Sequence, residues 1–346
     1  MKTEPLVSII CLSYNHENYI RECLESLVNQ KTDFVYEIIV HDDASLDNSQ
    51  GIIKEYESNY PDLFKNIYQV ENQYSKGPGR VSNIVYQEVS GKYVAFCEGD
   101  DYWIDMYKLQ KQVDILENDS NVIFSNTNCD IFYQKENVFE RRINDINRKS
   151  NNFDNVKSTV TVEDILNHRY IVRTATVMLR NEYLRKYFSS EIYSEMQGKV
   201  LMGDTPMWAY MVSMPNKKVH YLDISTSVYR RSDNTASNMV VIDKALRFEL
   251  SCKEMILFFI SNKEFQLSNK FKKETIDVYN SLVLRYFLFN SEYKTLFEKY
   301  LSSKTKKQLK DLKKDAIIVY IKRTILTVKF RIKNFKEKVF FFLRNK

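Results

Sequence analysis

Glu98, Asp100 and Asp101 stand together in the string Glu98-Gly99-Asp100-Asp101-Tyr102-Trp103, directly after the apolar run Tyr93-Val94-Ala95-Phe96-Cys97. A buried strand that ends in three carboxylates sets like charges close together, and they repel unless a cation holds them. Hard oxygen donors suit Mg²⁺ or Mn²⁺, ions that keep open positions for phosphate oxygens. The acids therefore read as a divalent-metal site at the carboxyl end of a strand, shaped to hold a diphosphate. The alternative is a solvated acidic turn. A second pair, Asp42 and Asp43, follows the run Glu37-Ile38-Ile39-Val40. Two acidic groups at two strand ends favour the site over the turn.

The flanking pattern says what must position them. Residues 6–12 are a short apolar, β-rich run of the kind that becomes a central parallel strand. Ile20, Cys23, Leu24, Leu27 and Val28 recur at helical spacing. A strand over 37–40, a helix over 49–60 closed by Pro61, a strand over 67–70, a helix over 80–89 and a strand over 93–97 follow. Gly77-Pro78-Gly79 reads as a turn. This alternation predicts a doubly wound, mostly parallel α/β sheet, in which ligands bind outside the carboxyl ends of the strands. Further on, the pattern predicts a helix over 108–118, strands over 122–124 and 171–179, an irregular excursion over 130–160, a helix over 204–214 and a strand over 219–229. From 241 it is helical to the end. The division expected is a catalytic domain over 1–238 and a helical, basic extension over 239–346.

Three of these strings, in order, resemble the inverting family 2 glycosyltransferases of the GT-A fold. Val7-Ser8-Ile9-Ile10-Cys11-Leu12-Ser13-Tyr14-Asn15 resembles the opening strand and nucleotide loop, and Val40-His41-Asp42-Asp43-Ala44-Ser45-Leu46-Asp47 resembles the VDDGSxD segment. Gly91 through Trp103 resembles the segment that carries the DxD motif, with Glu98 where the first Asp is commoner. Leu201-Met202-Gly203-Asp204 followed by Trp208 resembles the region of the catalytic base. The likeness covers residues 5 to about 118 and fades after about 238. Relatives carry a His shortly after a Tyr-Arg pair; here Tyr229-Arg230 leads into Arg231-Ser232-Asp233, so Arg230 or Arg231 is a candidate for phosphate contact instead.

The resemblance implies roles. Leu12, Tyr14, Asp42 and Asp43 would hold the nucleotide, with Asp43 the stronger candidate for uracil or ribose. Asp100 would be the chief ligand of Mg²⁺ or Mn²⁺ and touch the donor, supported by Glu98 and Asp101. Asp204 would be the general base. Asp42, Asp43 and Asp204 also suit helix caps, and Trp103 suits packing beneath the acid loop. His16, His41, His168 and His220 form no ligand-spaced set and read as structural. The implied activity is inverting transfer from a UDP-sugar to a glycan or lipid-linked acceptor in surface-polysaccharide synthesis. The rival is a nucleotide-sugar binding module of the same fold, without turnover.

Composition narrows the classes. The chain has 346 residues, 44% hydrophobic and 28% charged, with seven glycines and five prolines, which suits one large domain with an appendage. Five scattered cysteines without CxxC pairing suit a reduced compartment and argue against a zinc site. A dinucleotide-binding dehydrogenase would need G-x-G-x-x-G where Ser13-Tyr14-Asn15-His16 stands, and no G-x-x-x-x-G-K-[ST] loop occurs. No signal peptide or spanning segment is apparent, so the expected location is cytoplasmic. The net charge of +6 reflects a segment after Ser303 in which lysines and arginines far outnumber Asp311, Asp315 and Glu337. Its interleaved Phe, Ile and Val residues fit peripheral contact with the inner membrane face better than nucleic acid.

Overall fold

The computed structural model describes residues 4–77, 79–145, 159–197, 200, 202–232 and 242–289. The chain divides into two units, Met1–Lys244 and Ala245–Lys346. In the first, a nine-stranded sheet among the described residues carries the predicted alternation. Its first half holds β1 (Val7–Ser13), α1 (Ile20–Val28), β2 (Tyr36–Asp42), α2 (Ser49–Asn59), β3 (Phe64–Tyr68), α3 (Arg80–Tyr86) and β4 (Tyr93–Phe96). The second half adds β5 (Tyr102–Trp103), α4 (Lys108–Asn118), β6 (Val122–Tyr133), β7 (Val138–Glu140), β8 (Met178–Arg180) and β9 (Lys218–Arg231).

The strand order is β3-β2-β1-β4-β8-β6-β9-β5, with β7 beside β6. The β3-β2-β1-β4 half is parallel throughout. β8 runs antiparallel to both β4 and β6, β6 pairs β9 in parallel, and β5 closes antiparallel on β9. β1 is apolar on both faces because both are covered: Val7, Ile9, Ile10 and Cys11 are all buried. On α1, Ile20, Cys23, Leu24 and Leu27 fall on one face at i, i+3, i+4 and i+7, and all four are buried. Burying each Leu or Ile contributes about 1.5–3 kcal/mol.

Several boundaries differ from the sequence pattern. β3 occupies 64–68 rather than 67–70, and Val70 is exposed. α3 stops at Tyr86. The strand expected over 171–179 is a 3₁₀ turn at Thr174–Thr176 followed by the three-residue β8. The excursion over 130–160 begins with the end of β6 and contains β7. β6 reads as a strand only over Val122–Phe124 because Ser125, Asn126, Thr127 and Asn128 are polar, yet all four are buried. Hydrogen bonds make that affordable. Thr127 Oγ1 meets Thr226 Oγ1 at 2.7 Å, Asn126 Oδ1 accepts from the Tyr170 hydroxyl, and Asn128 Oδ1 accepts from the Cys129 and Asn144 amides. The five cysteines are free and buried.

In the second unit the described helices are Ile242–Ser261 and Asn269–Phe289, with Phe259 and Phe265 rings 4.7 Å apart. The basic segment after Ser303, and Pro78 of the predicted turn, lie outside the described residues. Among the described residues no helix is long and apolar enough to cross a membrane.

One core residue defies its type. Lys108 is fully buried, its Nζ donating to Gln112 Oε1 at 2.6 Å and standing 4.4 Å from the Trp103 ring centre. Gln112 in turn donates to the Ser125 and Thr176 carbonyls, both at 3.0 Å. Burial lowers the Lys108 ammonium to about 7 from an ordinary value of 10.5. Between those limits the folded state leaves this group neutral while the unfolded chain protonates it. Its contribution to stability therefore rises with pH across that window, by at most about 1.4 kcal/mol per unit. Urea denaturation of the parent and Lys108→Met at pH 7, 8.5 and 10 checks this: the balance should move in favour of the parent as pH rises, and a gap constant with pH would contradict a neutral buried lysine.

Candidate active site: two carboxylate loops on one rim

β4 is only four residues long, and the acid loop begins as it ends. The loop is tied back to β1 by two amides: Cys97 N donates to Ile10 O at 3.0 Å and Gly99 N to Leu12 O at 2.8 Å. Asp101 N donates to Glu98 O at 2.9 Å and closes the turn. Glycine is required at 99 by close approach. A Cβ there would lie 2.8 Å from His16 Nδ1 and 2.9 Å from Ile20 Cδ1. Trp103 packs beneath the loop as expected, its indole N–H reaching Ala175 O at 3.0 Å.

Arg230 holds the far side. Its amide donates to Asp101 Oδ1 at 2.9 Å, and its Nε donates to the Asp100 carbonyl at 2.9 Å. The guanidinium also pairs with Glu22 and lies 5.1 to 5.6 Å from the ring centres of Tyr19, Tyr102 and Phe132. Arg230 is thus a buried brace of the loop. Its side chain engages the Asp100 carbonyl and Glu22. Arg231 lies near the Tyr133 ring instead.

The acids feel one another. Burial, and then the Asp100 charge, lift Glu98 to about 7, with Asp204 adding to the rise. Burial likewise lifts Asp101 well above the usual carboxylate range, with Asp100 and Glu98 contributing and Arg230 opposing. Asp204 is raised by burial too, offset by the Thr205 amide and by Trp208. Asp204 caps the helix Thr205–Val212, its Oδ1 accepting from Thr205 N at 2.8 Å. The capping role and proximity to the acid loop therefore coincide in one residue, although Glu98 and Asp204 are 106 positions apart in sequence. His16 belongs to the same neighbourhood. Burial lowers its pKa while Asp100, Asp47 and Asp42 oppose the fall. The sequence offered no spacing that links it to Asp100.

The other acid pair builds a second loop. Asp42 accepts from Ser45 N at 2.9 Å, Ser45 Oγ at 2.6 Å and Gln50 Nε2 at 2.8 Å. Both its oxygens thus organise the turn, in which Ala44 takes φ 61°. Asp43 accepts from the backbone amides of Gln73 at 2.7 Å and Tyr74 at 2.9 Å, so it pins the loop after β3. Asn15 is locked to the same turn through Ser45 Oγ and the Leu46 amide. Tyr14 is left exposed between these loops, and Leu12 supplies the carbonyl that anchors Gly99. His41 is fully buried, and burial lowers its pKa from the ordinary value while Asp43 and Asp42 oppose the fall. His168 and His220 lie on other segments, neither among the acids.

The donor set fits a hard divalent ion in a particular way. Among the described residues no three His, Cys, Asp or Glu side chains gather closely enough to cage a metal by themselves. Asp101 has one oxygen committed to Arg230 N, which leaves Asp100, with Glu98 beside it, as the accessible ligand. One or two carboxylates completed by phosphate oxygens and water is how Mg²⁺ is commonly held.

The model for glycosyl transferase family 2 matches residues 8–202, more than half of the chain. The chain belongs to that family. The match takes in both acid loops and stops two residues before Asp204. A relative from Escherichia coli, UDP-Glc:alpha-D-GlcNAc-diphosphoundecaprenol beta-1,3-glucosyltransferase WfaP, is 33% identical over 36% of this chain and 45% of its own length. The putative teichuronic acid biosynthesis glycosyltransferase TuaG of Bacillus subtilis is 28% identical over 52% of this chain and 64% of its own. The first curated relatives, uncharacterised mycobacterial proteins 45% identical over 32% of this chain, are matched over 31% of their length. In fold, this chain is similar to Staphylococcus aureus TarS in complex with UDP-GlcNAc, with TM-score 0.52, 17% identity, and 83% and 77% of the two chains covered. It is also similar to the mannosyltransferase PcManGT of Pyrobaculum calidifontis, with TM-score 0.53, 15% identity, and 93% and 87% covered. The mixed, mostly parallel sheet with flanking helices is the GT-A architecture.

If Arg230 braces the acid loop, Arg230→Gln should lower stability by about 1–3 kcal/mol, because a buried charge-assisted network is broken. Glu22→Gln should cost less, since Glu22 is more than half exposed. Urea midpoints rank the two; an equal or reversed ranking would show that the brace does not depend on the Asp100 carbonyl.

Proposed function

We propose that this family 2 glycosyltransferase moves a sugar from a UDP-linked donor to a glycan or lipid-linked acceptor in one displacement, with inversion, in the building of a surface polysaccharide. The observation that carries the proposal is the meeting of Asp204 with the acid loop. After burial and the Asp100 charge, the Asp204 charge adds to the rise of Glu98, which supports a candidate base close to the candidate diphosphate site.

The chemistry assigns a role to each group. The acceptor oxygen attacks the anomeric carbon while the bond from that carbon to the diphosphate oxygen breaks. The acceptor's proton goes to Asp204, and the nucleoside diphosphate leaves with the bonding electrons. Burial makes Asp204 more basic than an ordinary aspartate, and the Thr205 amide fixes its orientation. No second nucleophile is needed, so the displaced centre inverts. Mg²⁺ or Mn²⁺ held at Asp100, with Glu98 beside it, would offset the charge that builds on the departing diphosphate. Tyr14, Leu12 and the turn built by Asp42 and Asp43 form the nucleotide side of the rim. The UDP-glucose in the name of WfaP supports the donor class, and TuaG's teichuronic acid name supports a surface glycan. The lysine-rich segment after Ser303 supports docking at the inner membrane face.

Two variants test the reading in a transfer assay with UDP-sugars and Mn²⁺. Asp204→Asn should cut turnover about 10²–10⁴-fold while the donor KM is kept. Asp100→Asn should abolish the dependence of UDP binding on Mn²⁺, read by calorimetry. Turnover unchanged in both would remove the mechanism; UDP binding with no transfer by the parent would instead favour the binding module.

A further inference from the structure

Arg173 is a cation prepared for a partner that the protein does not supply. Its two buried counterparts are saturated by the chain itself. Arg180 donates to the Val122, Leu116 and Asp119 carbonyls, and Arg230 is engaged as described above. The half-buried Arg173 guanidinium lies 5.6 Å from the Tyr229 ring centre, its Nε is buried without a hydrogen-bond partner, and it forms no ion pair with a described residue. An unpaired buried donor on a charged group is destabilising, and a bound anion would recover that loss.

The backbone beneath Arg173 is fixed. Its carbonyl accepts from Thr176 N at 2.9 Å and Thr176 Oγ1 at 2.7 Å. The next residues are held by Trp103 Nε1 on Ala175 O and by Gln112 Nε2 on Thr176 O. Trp103 lies two residues beyond Asp101, and Tyr229 immediately precedes Arg230, the brace of the acid loop. Arg173 is therefore rigidly referenced to that loop. It is also on the side away from the nucleotide turn. In the sheet order, β4 separates β1 and β2 from β8, β6 and β9. The Arg173 charge is felt by Cys129 and Tyr133, both on β6.

Resting on the transferase reading above, we infer that Arg173 recognises an anionic group, a phosphate or a uronate carboxylate, carried by the acceptor. The planar guanidinium offers paired donors that match either group, and the Tyr229 ring covers one face. Arg173 is a specificity residue: it places the acceptor and takes no part in the displacement.

The test begins with binding and does not depend on turnover. In the ¹⁵N-labelled full chain, the Arg173 Nε–H resonance is assigned by its loss in Arg173→Lys. The signal is then followed during titration with glycerol 1-phosphate, methyl glucuronide, neutral methyl glucoside and UDP. A shift with glycerol 1-phosphate identifies a phosphate-bearing acceptor, and a shift with methyl glucuronide a uronate. No shift with either anion, an equal shift with methyl glucoside, or a shift with UDP alone would overturn the assignment. With an acceptor carrying the anion that responds, Arg173→Gln should raise the acceptor KM about 10–100-fold with little change in kcat. An unchanged acceptor KM, or a rise confined to the donor KM, would also overturn it. Loss of the transferase reading would show in the Asp100 and Asp204 variants and leave the resonance shifts untouched, so the two failures are separable.

Discussion

Mutual repulsion among carboxylates at a buried strand end is the constraint around which this protein is arranged. Glu98, Asp100 and Asp101 follow a strand with no exposed residue; burial, and then the Asp100 charge, raise the Glu98 and Asp101 carboxyls, with Glu98 adding to the rise at Asp101. Left to itself, such a loop would swing into water. It is held by backbone, not by charge neutralisation: Ile10 and Leu12 anchor it on one side, and Arg230 grips it on the other. The brace takes up one Asp101 oxygen and the Asp100 carbonyl and leaves the Asp100 carboxylate available. A loop fixed by its amides can present an unneutralised carboxylate at low reorganisation cost, which is the condition under which electrostatic stabilisation of a leaving group is most effective.

The two halves of the sheet divide the labour. On the parallel half, aspartates build turns: Asp42 closes its own loop and Asp43 draws in the segment after β3. The Asp42 bonds are local, while those of Asp43 tie in backbone 30 and 31 positions further along the chain. The mixed half is assembled from distant segments. Trp103 and Gln112 reach across to residues 175 and 176, and a polar stretch of β6 is buried by pairing with β9. This half sets the positions of Asp204 and Arg173 relative to the acid loop.

The parallel half was legible because its signals are short-range. Apolar runs, helical spacing on α1 and the Pro61 stop depend on residues within one or two turns of each other, and the elements exist in the order those patterns give, with the start of β3 and the end of α3 displaced by three residues. Legibility failed where burial contradicts residue type. The Ser125–Asn128 stretch is polar by composition and becomes core through distant partners such as Gln112 and Tyr170, while Lys108 is buried against Gln112, whose amide reaches those segments. It failed also where a strand exists by pairing alone. β5 is two residues and β7 three, and neither has a pattern of its own. Arg230 could be singled out beside the Tyr-Arg pair, but its use as a brace could not, since Glu22 lies 208 positions earlier.

The sequence by itself determined the family, the α/β alternation and the chemical types at the strand ends, because carboxylates after apolar runs carry their meaning in adjacent residues. The folded chain alone decides which acids approach one another, which are spent on turns and that, among the described residues, Arg173 keeps a buried Nε without a hydrogen-bond partner. Those outcomes depend on distances between segments a hundred or more residues apart, set by the order in which strands enter the sheet and by which buried polar groups find one another.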